Sequence, residues 1–148
     1  MESANTSIQQ LISSRVNPSF DIAEDVGGMQ VVLVNVFFYG QPGAGDGNWV
    51  LIDAGLQYSG GRIIRAAEER FGPGARPSAI ILTHAHFDHV GALPDLLEYW
   101  GDVPVYAHTW ELPYFTGRSD YPPPDPTVGG GLMARMAMLY PNKATNFG

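Results

Sequence analysis

Three of the four histidines in this 148-residue chain, His84, His86 and His89, fall within six positions that also hold Asp88. Imidazole nitrogens and carboxylate oxygens are donors that zinc accepts. Such groups rarely gather after a buried strand without a ligand to bind. Where the backbone stays extended, His84 and His86 project to the same side and can share one ion. Asp88 and His89 follow the point where the chain turns, so they need not face that ion and could hold a second one close by. Two adjacent ions would polarise a carbonyl or phosphoryl oxygen and lower the pKa of a bridging water towards neutrality. Asp88 could then both coordinate an ion and accept a hydrogen bond from the attacking hydroxide.

The elements that must position this cluster are legible around it. Met29–Tyr39 (MQVVLVNVFFY) is rich in Val and Phe and reads as one buried strand. Residues 40–48 hold four glycines and a proline and read as a turn segment. Trp49–Asp53 is a second strand, paired with the first as a long-looped hairpin. Ile63, Ile64, Ala67 and Phe71 form one stripe over residues 60–71, opposite Arg65, Glu68 and Glu69, which predicts an amphipathic helix stopped by Gly72-Pro73-Gly74. Ser78–Thr83 is a third strand, and the histidines follow it directly. Leu93–Trp100 reads as a helix with Pro94 in its first turn. Val103–Ala107 is a short strand, Thr109–Phe115 a short helix, 117–131 a Pro/Gly loop and Leu132–Tyr140 a Met-rich helix. Residues 1–20 are weakly patterned. The alternation from Trp49 onward is βαβαβ, an α/β arrangement with parallel strands. Function in such sheets gathers beyond the carboxyl ends of the strands, where Asp53 and the cluster both fall.

Thr83-His84-Ala85-His86-Phe87-Asp88-His89, followed by Val90-Gly91, resembles the His-x-His-x-Asp-His signature of the metallo-β-lactamase superfamily. The strand ending Leu51-Ile52-Asp53-Ala54-Gly55, the following helix and the apolar strand before the histidines also look like that family's N-terminal half. The resemblance runs from about Met29 to about His108. It implies an αββα sandwich, a mixed sheet flanked by helices. It implies that His84 and His86 bind a first metal, and that Asp88 and His89 bind a second. Asp53, which alone reads as an ordinary turn or cap residue, would steady a ligand histidine, and Thr83 would do similar work. Zinc is the usual metal, as one or two ions, with iron or manganese in some branches. The implied reaction is attack of a metal-activated hydroxide on an ester, thioester, lactone or lactam bond of a small molecule, with Asp88 catalytic. A phosphoester is a further substrate of the family.

The family's remaining ligands, a histidine, a bridging aspartate and a final histidine, lie well downstream. Beyond Phe115 this sequence has no histidine, and its aspartates there are Asp120 and Asp125. A catalytic zinc normally takes three protein ligands. The expectation is therefore a single, incomplete domain over residues 1–148, the N-terminal half of the fold. Two further readings stay open: a non-catalytic or weakly metal-binding fragment acting through association, and an iron-dependent redox enzyme. Half a sandwich should expose apolar sheet surface and invite a homo-oligomer. His108 with Glu111 could be imagined as a metal pair, but a helix-start histidine with a surface glutamate is the simpler reading. Tyr114, Tyr121 and Pro122-Pro123-Pro124 could form a loop over substrate or a plain rigid loop. Met133, Met136 and Met138 read as core or interface filler.

Composition narrows the class. The chain is 45% hydrophobic and 16% charged, as ordered globular proteins are. A formal charge of -7 with eight scattered basic residues argues against a phosphate-backbone partner, so no nucleic acid is expected. There is no cysteine, hence no disulfide, thiolate site or cysteine nucleophile. No run is long enough to span a membrane and no signal peptide is visible, so a cytoplasmic location is expected.

Overall fold

The computed structural model describes residues 19–122. The helix expected at 132–140 and the methionines within it lie outside that range. Six strands form one sheet in chain order: β1 (Ser19–Ala23), β2 (Val26–Val31), β3 (Val34–Tyr39), β4 (Val50–Ile52), β5 (Ala79–Leu82) and β6 (Val105–Ala107). The first three junctions are antiparallel; β4–β5 and β5–β6 are parallel. Helix α1 (Gly60–Phe71) bridges β4 to β5. The short α2 (Phe87–Val90) and then α3 (Leu93–Trp100) bridge β5 to β6, and α4 (Leu112–Phe115) follows. The fold is thus a mixed sheet with helices. The parallel half matches the alternation expected from Trp49 onward. Among the described residues, no helix is long and apolar enough to cross a membrane.

One sequence expectation needs correction. Met29–Tyr39 is not a single strand but the two arms of a hairpin, with Val31 paired to Val34. The chain reverses at Val32, whose φ is 59°. Two-residue hairpins need that left-handed backbone and usually announce it with Gly or Asn. Here a valine carries it, so the hydrophobic run hides its own turn. A further edge strand, β1, begins inside the segment that showed little pattern, and all five of its residues are exposed.

Packing explains why the helical layer sits on one face. Val36, Phe38, Leu51, Ile80 and Leu82 alternate along the strands and are buried with Ile63, Ala67 and Phe71 of α1 and Leu93, Leu96 and Trp100 of α3. Trp49 stacks on Phe71 at 4.4 Å between ring centres and meets Trp100 edge-on at 5.6 Å. Such aromatic pairs add roughly 0.5–1.5 kcal/mol beyond the area they bury. They join the end of the glycine-rich loop to both helices. That loop also caps α1: Gly43 and Gly45 donate to the carbonyls of Arg70 and Phe71, which a helix end otherwise leaves unpaired. On the opposite sheet face, Phe37, Ile52, Ile81 and Tyr106 stand in one row across four strands. Ile81 is 42% exposed and Tyr106 59%.

At the carboxyl ends of β4 and β5 the backbone is tightly interlocked. Asp53 donates its N–H to Ile81, Ala54 to His89, Gly91 to Gly55 and Ala92 to Ala54. Gly91 makes this approach possible: a Cβ there would stand 2.7 Å from both Leu56 C and Phe87 O. Gly91→Ala is expected to cost about 1–3 kcal/mol, the range for overpacking, lowering the denaturant midpoint with an unchanged slope. Gly61→Ala, at an open position of α1, should show no such loss.

Candidate metal centre

Asp53 is the residue on which the site is built. It directly follows β4 with a φ of 64°, a left-handed conformation that costs an ordinary residue about 1–2 kcal/mol and Asp somewhat less. Its side chain is almost fully buried. Oδ1 accepts the Thr83 N–H at 2.8 Å, and the Thr83 hydroxyl lies 2.8 Å from Oδ2 and 3.0 Å from Oδ1. Oδ2 is also 2.9 Å from His89 Nδ1. Hydrogen bonds to a charged group contribute roughly 1.5–3 kcal/mol each, so these bonds outweigh the backbone strain.

The same network assigns the histidine tautomers. A carboxylate only accepts, so the Thr83 hydroxyl spends its one proton on Asp53. His84 Nδ1, 3.0 Å from that hydroxyl oxygen, must then be the donor. His89 Nδ1 likewise donates to Asp53. In both neutral rings the lone pair is left on Nε2. One carboxylate thereby presents two imidazoles in a metal-binding tautomer, one directly and one through Thr83.

Donor atoms of His84, Asp88 and His89 all lie within 4.8 Å of one another. The His84 and His89 rings are 4.1 Å apart, and His89 Nε2 is 3.9 Å from Asp88 Oδ1. That Asp88 oxygen is buried and has no hydrogen-bond partner. A buried carboxylate oxygen without a donor is costly unless a cation meets it. Two imidazole nitrogens and this oxygen therefore fit a divalent ion. His86 stands beside the trio, its ring 4.7 Å from that of His84. The sequence pattern divides the four residues two and two; the described geometry gathers three, with His84 between His86 and His89. The reason is local: α2 starts at Phe87 and folds Asp88 and His89 back towards His84.

Electrostatics separate the rings. Burial, with the neighbouring His89, holds His84 below the ordinary 6.5, and burial with His84 does the same to His86. Burial also opposes charge on His89, but its hydrogen bond to Asp53 and the charges of Asp53 and Asp88 outweigh that, so its pKa is raised. His84 and His86 are thus ready to ligate at lower pH, while His89 holds its proton longest.

A second set of contacts comes from the far side. The Tyr121 hydroxyl accepts the Ala85 N–H at 2.6 Å and donates to Glu111 Oε2. Glu111 meets His108 through the backbone, its N–H donating to the His108 carbonyl at 2.9 Å, while His108 Nδ1 accepts the Trp110 N–H at 3.2 Å. Sequence spacing carried no signal for these contacts, because Glu111 and Tyr121 lie 26 and 36 residues from Ala85.

A sheet of this order, with histidines and a carboxylate at the ends of its parallel strands, defines a metal-site protein of the α/β class. The profile of the metallo-beta-lactamase superfamily matches residues 29–136, and the chain belongs to that superfamily. It is 47% identical over 131 residues to a probable metallo-hydrolase, YflN, of Bacillus subtilis (strain 168), covering 88% of this chain and 49% of that protein. It is 42% identical over 64 residues to a hydroxyacylglutathione hydrolase of Xylella fastidiosa (strain M12), covering 43% of this chain and 22% of that one. The chain thus spans about half the length of YflN and less of the other. Among solved structures, a Cronobacter sakazakii metallo-beta-lactamase with a HARLDQ motif superposes with a TM-score of 0.55 at 25% identity, over 77% of this chain and 41% of that chain. BJP-1, a subclass B3 metallo-beta-lactamase of Bradyrhizobium japonicum, gives 0.56 at 22% identity over 71% and 37%, a likeness of fold.

In a histidine-resolved NMR titration of the metal-free protein, His89 is expected to titrate above 6.5 and His84 and His86 below it. Asp53→Asn removes the hydrogen bond and the charge that do most to raise His89, leaving only the Asp88 charge against burial, so its pKa should fall relative to the unaltered protein. A His89 that titrates unchanged in that variant would contradict the network. Metal affinity should fall roughly 10–100-fold in the same variant, the usual cost of losing a partner behind a ligand. In the unaltered chain, affinity should begin to fall as pH drops through the raised pKa of His89, since a bound proton must leave before a metal enters.

Proposed function

We propose that this chain carries the metal site of a hydrolase acting on an ester-, thioester-, lactone- or lactam-like bond of a small molecule. The observation that carries this reading is the buried, unpartnered Asp88 oxygen beside two imidazoles whose Nε2 atoms are left free by Asp53. His84, Asp88 and His89 would hold one ion, and His86 would extend the set towards a second. Zinc suits a donor set of imidazole and carboxylate, and iron or manganese also accept it. A divalent ion here supplies a Lewis acid for the scissile group and a water of lowered pKa. Asp88 would then have its second oxygen as the acceptor for the proton of the attacking water. Asp53 and Thr83 keep the ligand rings in one tautomer throughout. The similarity to YflN, a probable metallo-hydrolase, and to the Xylella hydroxyacylglutathione hydrolase supports a hydrolytic role.

A second reading, metal binding without turnover combined with self-association, is favoured by the open row of Phe37, Ile52, Ile81 and Tyr106. The two readings separate in one experiment on the purified chain: elemental analysis, hydrolysis of chromogenic ester, thioester, lactone and lactam substrates with and without chelator, and sedimentation over a concentration series. The hydrolase reading expects bound metal and chelator-sensitive turnover. In Asp88→Asn that turnover should drop at least 100-fold. Metal uptake without any turnover, alongside concentration-dependent association, would favour the second reading. No metal uptake at millimolar zinc, iron or manganese would remove both.

A further inference from the structure

Asp53 fixes two of the cluster's rings, His84 through Thr83 and His89 directly. His86 is not among its partners. The Tyr121 ring lies against His86, its centre 4.1 Å from the imidazole at a tilt of 49°. Tyr121 is itself held in place. It also stacks on Tyr114 of α4 at 4.0 Å and 15°. Its hydroxyl bridges the Ala85 N–H, between the two histidines of the His-x-His step, to the Glu111 carboxylate that precedes α4. Ala85 N–H also lies 3.3 Å from Glu111 Oε2. Ala85 is fully buried, so its N–H needs a protein acceptor.

We propose that Tyr121 is a positioning residue for His86, with its ring setting the imidazole's orientation and its hydroxyl, backed by Glu111, pinning the backbone of the ligand loop at Ala85. The chemistry favours tyrosine for both tasks. A phenol can accept from an amide and donate to a carboxylate at once. Bonds arranged in such a chain polarise and strengthen one another. Phenylalanine could supply the ring alone, and serine the hydroxyl alone. The loop is thus clamped from two sides, by Asp53 and Thr83 on one and by Glu111 and Tyr121 on the other. A surface tyrosine that merely packed its own loop would not need a hydroxyl directed at the backbone between two ligand-type residues.

The inference rests on the reading of His86 as a metal donor, and its test keeps the two apart. One arm uses the metal-free chain: long-range proton–nitrogen NMR of the histidine rings and amide exchange at Ala85. The other arm is cobalt(II) titration, followed by visible absorption and by competition with a chelator. Tyr121→Phe should leave the His86 ring signals near their original positions while Ala85 exchange accelerates at least tenfold. Tyr121→Ala should shift the His86 ring signals, alter the cobalt spectrum and weaken cobalt binding roughly 10–100-fold. A purely structural role would lower the melting temperature and leave the spectrum as it was. His86 signals, cobalt spectrum and affinity all unchanged in Tyr121→Ala would overturn the proposal. If that variant does not fold, Tyr121→Phe decides: unchanged exchange at Ala85 overturns it. Failure of the unaltered chain to bind cobalt strikes the metal reading, and the metal-free arm still judges the hold of Tyr121 on His86.

Discussion

The geometry at this end of the sheet depends on one buried carboxylate. Asp53 directly follows β4, yet its bonds reach Thr83 just past β5 and His89 in α2. Three chain segments meet at a single side chain. The residue adopts a left-handed backbone to aim that carboxylate, and its charge-assisted bonds more than offset the strain. A neutral amide of the same shape could accept on one atom only. It would have to turn a donor towards either Thr83 or His89, and one imidazole would lose its tautomer.

The rest of the fold makes that meeting reproducible. Parallel pairing of β4 with β5 puts their carboxyl ends at one edge, and α1 and α3 cover the face beneath. The donors themselves sit in the turn between β5 and α2, where a short segment has little rigidity of its own. Rigid elements therefore lend it theirs through hydrogen bonds. Gly91 lets α2 close against Leu56 and Gln57, and the Ala54 and Gly91 amides tie the two loops together. Binding groups on loops braced by a scaffold are a common solution, because a loop can bring several donors to one point. The cost is a need for bracing, which here comes from residues about 30 positions away.

Much of this was legible in the sequence where the signal was local. The helices at 60–71 and 93–100 follow from stripe and stop residues, and the structure has both with those bounds. The parallel strands were legible as short apolar runs between helices. The β2–β3 hairpin was not, because the turn at Val32 uses a residue that normally signals strand. Its backbone is held by the six paired positions of the two arms, a register that the hydrophobic run does not reveal. Glu111 illustrates the same limit. The sequence favoured a plain surface glutamate over a pairing with His108, and the fold turns its carboxylate towards Tyr121 and Ala85.

The sequence by itself determined which chemical groups are present and that they are concentrated: three histidines and an aspartate within six residues, just past a buried strand. It also determined the family, since that signature is contiguous. Only the tertiary structure decided how the donors face one another. It gathers His84, Asp88 and His89 within 4.8 Å, leaves an Asp88 oxygen without a donor, and assigns Nδ1–H to two rings through one distant carboxylate. The physical reason is that residue type and spacing are properties of the local chain. Tautomer, orientation and desolvation are set by partners that the fold brings from other elements.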